Sequence, residues 1–116
     1  MSIFEKYSSI QKPEVLNFFI NNMVSKNIND LTAIPNIGKI LADKLHKVGI
    51  LNEHDLKTTG SENAIIKIGT LENSGACINM LYALEGAVQG IRWHGLSKDK
   101  KQELREFYNS IKNKFE

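Results

Sequence analysis

The sequence predicts an all-α protein, a small bundle of about five or six helices. Apolar residues recur at the spacing of one helix face along most of the chain, and no segment alternates apolar and polar residues as a half-buried strand would. Glycine, proline and capping residues separate the periodic stretches. We assign residues 1–28 to a helical extension and residues 29–116 to one compact domain.

Composition leaves the class of partner open. The chain of 116 residues carries a formal net charge of +2, whereas a dedicated nucleic-acid binder often has a strong basic excess. Between residues 30 and 57 the lysines are matched by nearby acidic residues, so any affinity of this segment for DNA is expected to be weak.

Cysteine content and hydropathy favour a cytoplasmic protein. Cys77 is the only cysteine, which excludes an internal disulfide and a cysteine-based zinc site. The N-terminus shows no signal-peptide pattern, and no apolar run approaches the ~20 residues of a membrane-spanning helix. We therefore expect no membrane contact.

The N-terminal extension contains a helical signal of its own. Pro13 suits the first position of a helix, and an apolar stripe follows it over residues 13–26. Phe18 falls beside that stripe, where an exposed side chain would indicate a surface for a protein partner. Residues 29–30 (ND) offer a cap for the next short helix.

A tight hairpin that begins at Ile34 joins this short helix to the following one. Pro35 ends the first helix because it cannot donate the backbone hydrogen bond that a continuing helix needs. Gly38 can take the positive φ that a sharp reversal needs, and Asn36 tolerates that conformation better than most residues. From Ile37 onward the apolar residues again follow one helix face.

The hairpin places a helix N-terminus beside lysines. Such a terminus attracts anions because its first backbone N–H groups are unpaired and its dipole is positive. The pattern resembles the helix-hairpin-helix family, whose members bind the DNA backbone without reading its sequence, and whose hairpin usually reads glycine, apolar, glycine. The candidate phosphate-binding residues are Asn36, Ile37, Gly38, Lys39, Ile40, Lys44 and Lys47. The alternative is that the hairpin only joins two packed helices.

Two short helices and a longer one are predicted after Gly49, which ends the second helix of the hairpin. Asn52 and Ser61 are the expected caps of the two short helices. The longer helix, over residues 76–90, carries a strong apolar stripe and is expected to be the central buried helix. Gly86 lies inside it, and a neighbouring helix is expected to approach closely at that point.

The last helix is predicted to be capped by Ser97, and Trp93 in the preceding connector is the candidate core anchor. The polar side of this helix forms a secondary basic face. Its residues are Lys98, Lys100, Lys101 and Arg105. They are a weaker candidate for DNA contact, because acidic residues alternate with them and such a run is commonly a solvated face.

No residue pattern in the chain indicates catalysis or a bound cofactor. The three histidines are scattered without the spacing of metal ligands, and His46 is expected to be exposed. Cys77 is expected to be a small core residue. Glu85 would need a partner if it were buried, supplied by Arg92 or by a helix N-terminus. We therefore expect a non-enzymatic protein without a metal or cofactor.

Three blocks of the chain resemble the C-terminal domain of the TfoX/Sxy family of bacterial competence regulators. They are residues 31–38 (LTAIPNIG), residues 48–50 (VGI) with Asp55 and Leu56, and residues 79–90 (NMLYALEGAVQG) with Trp93 and Leu96. In this family Asn36 is the usual hairpin residue. The resemblance implies a helical, helix-hairpin-helix-like domain linked to transcriptional control of DNA-uptake genes. The family usually carries a separate N-terminal α/β domain, so we expect a stand-alone C-terminal domain.

These observations together predict a regulatory or adaptor domain. Its candidate partners are double-stranded DNA, bound weakly and without sequence specificity, and a transcription factor or another protein. The alternative is a protein-interaction module in which the hairpin is purely structural. A small nuclease is disfavoured because the sequence shows no carboxylate cluster.

Overall fold

The computed structural model describes residues 31–115, which form five α-helices and two short 3-10 turns, with no strand among them. The all-α prediction is thereby confirmed. The α-helices are α1 (Lys39–Lys47), α2 (Glu53–Thr59), α3 (Ser61–Gly69), α4 (Ile78–Gln89) and α5 (Lys98–Ile111), and the 3-10 turns span Trp93–Gly95 and Lys112–Phe115. The predicted extension at residues 1–28, with its helix and Phe18, lies outside the described residues, as does the cap at residues 29–30.

Helix α4 lies at the centre of the bundle, as its apolar stripe predicts. It packs against α2, α3, α5 and the first 3-10 turn, while α1 packs against α3. Leu81, Leu84 and Ala87 of α4 are completely buried. The other large, fully buried side chains are Leu31, Leu45, Ile50, Leu56, Ile65, Ile68 and Leu104. Burial of each such side chain contributes about 1.5–3 kcal/mol, so this core is the main source of stability.

Local sequence signals set most of the helix ends. Asn52 caps α2 and Ser97 caps α5, each by accepting a hydrogen bond from the amide three residues on, at 2.9 and 3.0 Å respectively. Gly49 follows α1 with a φ of 89°, as its position after the apolar stripe predicts. The prediction for Ser61 is wrong: Gly60 is the N-cap of α3, and Ser61 is the first helical residue.

The hairpin before α1 reverses the chain at one of the two residues that the sequence offers for a positive φ. Asn36 has a φ of 72°, whereas Gly38 is the N-cap of α1 with an extended backbone, at a φ of −89°. Ile34 and Ile37 lie on either side of Asn36, and both side chains are buried in the core. Two residues separate these anchors, and because the ring of Pro35 fixes a negative φ, Asn36 makes the left-handed turn, which asparagine tolerates.

Candidate functional site

The predicted phosphate-binding residues divide into an internal and an external group. The Ile37 side chain is buried, and the Asn36 amide is hydrogen bonded to the distant residues around the end of α4. Gly38, Lys39 and Ile40 are exposed at the start of α1. The side chains of Asn36 and Ile37 therefore shape the hairpin, and the exposed surface belongs to the three residues that follow.

The first turn of α1 lacks the groups that usually satisfy a helix N-terminus. The first helical hydrogen bond joins the Ala42 amide to the Gly38 carbonyl at 2.9 Å, so the amides of residues 39–41 precede it. Gly38 supplies no side-chain cap, and the turn contains no acidic residue. Helices α2 and α5, in contrast, each have a capping side chain and an acidic first turn. The positive end of the α1 dipole is therefore left without a negative group of its own.

The lysines of the candidate site differ in what they contact. Lys47 Nζ lies 3.1 Å from the carboxylate of Asp43, one turn earlier in α1. Lys44 Nζ donates to the backbone carbonyl of Asn73 at 3.1 Å, in the loop between α3 and α4. Lys39 is exposed, and its side chain makes no hydrogen bond or ion pair within residues 31–115. Among the described residues, Lys39 is therefore the one lysine of the three without a hydrogen bond or ion pair, and it can meet an external anion.

A groove of about 630 Å³ follows the exposed side of α1. Its lining residues are Lys39, Ile40, Asp43, Lys44, Lys47, Leu71 and Glu72. Ile40 is 76% exposed, the highest value for a large apolar side chain in the described part of the chain. The groove therefore combines an apolar surface at Ile40 and Leu71 with a charged rim.

Asn36 connects the hairpin to the end of α4 and to the connector that follows it. Its Nδ2 donates to the carbonyls of Ile91 at 2.8 Å and Ala83 at 3.3 Å. Its Oδ1 accepts from the Trp93 amide at 3.1 Å. A Cβ on Gly86 would lie 2.5 Å from Asn36 Nδ2. The close approach predicted at Gly86 is thus present, but the hairpin side chain and the connector make it, and not a neighbouring helix.

The secondary basic face on α5 consists of four residues, Lys98, Lys100, Lys101 and Arg105. Two of them contact the stacked rings of Trp93 and Tyr82, and the other two do not. Lys101 Nζ lies 5.5 Å from the centroid of the Trp93 ring, and Arg105 Nη1 donates to the Tyr82 hydroxyl at 3.0 Å. Lys100 instead forms an ion pair with Glu103 at 3.3 Å, and Lys98 is exposed at the start of the helix. The four cations therefore do not act as one surface.

Two further side chains differ from the sequence interpretation, and for a third, Glu85, the structure selects one of the two predicted partners. Cys77 is exposed at the N-cap of α4, outside the core. His46 is half-buried, and its enclosed Nε2 has no hydrogen-bond partner within residues 31–115. Glu85 accepts hydrogen bonds from the Ser61 hydroxyl at 2.6 Å and the Gln89 amide at 2.7 Å, so the start of α3, and not an arginine, supplies its partner. Contacts between helices produce these differences, and spacing along one helix does not reveal them.

Residues 31–115 contain no group of three or more side chains placed to hold a metal ion. Over the same residues no helix combines the length and the apolar character needed to cross a bilayer. The surface features that stand out in this part of the chain are the open N-terminus of α1, the groove beside it and the cation–aromatic contacts at Trp93.

Comparisons with known proteins relate this architecture to a family. The family described as the TfoX C-terminal domain matches residues 27–108. A crystal structure of an uncharacterized protein from Listeria monocytogenes, triclinic form, is 50% identical with a TM-score of 0.68, covering 71% of this chain and 92% of that chain. A structure of a protein of unknown function from the same organism, tetragonal form, is 51% identical with a TM-score of 0.66, covering 70% of this chain and 99% of that chain. No curated protein matches the sequence. The chain belongs to the TfoX C-terminal domain family.

Proposed function

We propose that the protein is a non-enzymatic regulatory or adaptor domain that binds the phosphate backbone of double-stranded DNA through the N-terminus of α1. The observation that carries this proposal is the uncapped, acid-free first turn of α1 beside Lys39, whose side chain has no partner within residues 31–115. Amides that precede the helical hydrogen bonds and the positive dipole end both favour an anion there. Because phosphates carry no base information, this contact sets position on the duplex and does not select a sequence.

Lys39 is the principal cation of this site, and Lys44 and Lys47 support it. The ion pair of Lys47 with Asp43 is exposed, with the two side chains 62% and 53% accessible. Exposed pairs of this kind contribute only about 0–1 kcal/mol, so Lys47 can exchange its carboxylate for a phosphate at small cost. Lys44 donates to a neutral carbonyl and keeps its charge. In the described part of the chain, the site therefore offers one lysine without a partner and two whose contacts a phosphate can replace.

The expected affinity is low, in keeping with the formal net charge of +2. Non-specific duplex binding has dissociation constants of about 10⁻⁴–10⁻⁶ M at physiological salt. Each neutralised phosphate contributes about −0.9 to the slope of log K against log salt, so three lysines predict a slope of about −3. Binding should accordingly be measurable at low salt and weaken steeply as salt rises.

A charge-reversal pair tests the site. Fluorescence anisotropy with a labelled duplex compares wild type, Lys39→Glu and Lys67→Glu, where Lys67 is an exposed lysine of α3 and provides the matched control. We expect Lys39→Glu to weaken binding at low salt about tenfold or more, and Lys67→Glu to weaken it less than about twofold, because only Lys39 adjoins the α1 terminus. Absence of wild-type binding at about 100 μM protein, or equal effects of the two substitutions, would refute the proposal.

Membership of the TfoX C-terminal domain family supports transcriptional regulation of the competence type as the setting of this contact. The prediction is that cells carrying the Lys39→Glu variant at normal protein level show altered transcripts of DNA-uptake genes. If the variant loses duplex binding in vitro but the transcripts are unchanged, the phosphate contact does not serve this regulation.

Protein–protein interaction is the second candidate function, and the exposure of Ile40 favours it. A protein partner would cover Ile40 and Leu71 in the α1 groove, since apolar side chains at the centre of an interface contribute much of its affinity. A phosphate contact uses the backbone amide at this position, which Ile40→Ser retains. The variant should therefore keep its duplex affinity if DNA is the ligand. If the groove binds a protein, the variant should instead lose that partner in a capture experiment from the cell of origin.

A further inference from the structure

The connector between α4 and α5 lies directly against the hairpin. Asn36 holds it there through its hydrogen bonds to the Ile91 carbonyl at 2.8 Å and from the Trp93 amide at 3.1 Å. Arg92 stands between these two bonded residues, and its side chain is exposed. The backbone of Arg92 therefore lies beside the hairpin, although the two segments are far apart in the sequence.

The Trp93 ring positions a second cation in the same region. Lys101 Nζ lies 5.5 Å from the ring centroid, and the Tyr82 and His94 rings stack with Trp93 at centroid distances of 6.0 and 4.0 Å. A cation within about 6 Å of a ring centroid is attracted by the ring quadrupole, and its charge is not neutralised. The Trp93 ring, which is uncharged, therefore positions the Lys101 ammonium.

Arg105 adds a third cation, one turn further along α5. Its Nη1 donates to the Tyr82 hydroxyl at 3.0 Å and its Nη2 to the Gln102 side-chain carbonyl at 2.7 Å. Both acceptors are neutral, and most of the five guanidinium donors remain available. Lys100, by contrast, is paired with the carboxylate of Glu103. Within residues 31–115, no carboxylate lies within ion-pair distance of any of the three cations at this surface.

We propose that Arg92, Lys101 and Arg105 form a second phosphate-contacting surface, the connector surface, which extends the duplex footprint from α1 across the hairpin. This inference rests on the function proposed above. Aromatic and hydrogen-bond contacts hold two of the cations in place, so less side-chain entropy is lost when a phosphate binds. The planar guanidinium groups match the geometry of phosphate oxygens. The connector surface adds three cations to the single unpaired cation, Lys39, that the described residues place at the α1 terminus.

A purely structural role for these cations makes a different prediction. If Lys101 served only to hold Trp93 in place, neutralising it would lower the free energy of unfolding and leave the salt dependence of duplex binding unchanged. Counterion release depends on the number of phosphates that the folded protein neutralises. The slope of log K against log salt therefore separates the two roles.

The experiment measures that slope between roughly 50 and 200 mM salt. Over this range the affinity for duplex DNA falls steeply when a protein contacts several phosphates. The test variant is Arg92→Gln with Lys101→Gln, and the matched control is Lys57→Gln with Lys67→Gln, which removes two exposed charges from α2 and α3. We expect the magnitude of the slope to fall by about two in the test variant and to stay constant in the control. Arg92→Lys with Lys101→Arg, which keeps both charges, should retain the wild-type slope.

The possible outcomes distinguish this inference from the proposal on which it rests. Circular dichroism first establishes that each variant is folded. A wild-type slope in the test variant, with a lowered slope in Lys39→Gln, overturns the connector surface and leaves the α1 site intact. A lowered slope in the test variant with no change in Lys39→Gln supports the connector surface and overturns the α1 site. No duplex binding by the wild type overturns both.

Discussion

Replacing Gly86 with alanine is expected to destabilise the domain, although alanine favours a helix over glycine by about 1 kcal/mol. The added Cβ would lie 2.5 Å from Asn36 Nδ2, 2.8 Å from the Ile91 carbonyl oxygen and 3.1 Å from the Trp93 Cα. Two of these three atoms belong to the backbone of the connector, so a change of side-chain rotamer cannot relieve the contact. The hairpin and the connector must both move away from α4.

The size of the effect follows from these contacts. Overpacking of this kind costs about 2 kcal/mol, and loss of one Asn36 hydrogen bond costs about 1 kcal/mol more. The helix propensity of alanine offsets about 1 kcal/mol of that loss. The net change in the free energy of unfolding is therefore about −2 kcal/mol, or a decrease in Tm of roughly 8–16 °C for a domain of this size.

Urea unfolding followed by circular dichroism measures this change. Gly95→Ala is the matched control, because a Cβ there would meet only Ile91 Cδ1 at 3.7 Å, an ordinary contact. In an Asn36→Gly background the closest atom is absent, so Gly86→Ala should cost about 1 kcal/mol less, which a double-mutant cycle detects. A Gly86→Ala variant as stable as the wild type, or more stable, would refute the reasoning.

Three further changes test individual contacts. Asn36→Gly keeps the left-handed backbone but removes three hydrogen bonds, and it should lower the free energy of unfolding by about 2 kcal/mol. Asn36→Ala should lower it by about 1 kcal/mol more, because alanine is strained at that φ. Ser61→Ala should cost about 1–2 kcal/mol, since it removes a donor from half-buried Glu85, and an additive result with Glu85→Gln would contradict that pairing. Cys77 should react with a thiol reagent in the native state nearly as fast as in urea, whereas strong native protection would contradict its exposure.

Local patterns in the sequence were sufficient for the helices and for most of their ends. Asn52 and Ser97 cap helices because a cap and the amide that it accepts from lie three residues apart, within reach of a purely local interpretation. The apolar stripe of α4 identified the central helix for the same reason, since its period is a property of a short segment. The exposed position of Lys39 at a helix start also followed from the hairpin pattern.

The tertiary structure decided which residue takes the positive φ, which position requires glycine and which cation contacts an aromatic ring. Asn36, and not Gly38, adopts the positive φ, because its side chain gains one hydrogen bond to the middle of α4 and two to the connector that follows it. Position 86 requires glycine because a Cβ there would lie too close to the Asn36 side chain. Lys101 differs from its neighbour Lys100 because its ammonium group contacts the Trp93 ring. All of these depend on segments that are distant in the chain and meet only when the core forms. Periodicity along one helix predicts which face is buried. It does not predict which atoms of a distant segment pack against that face.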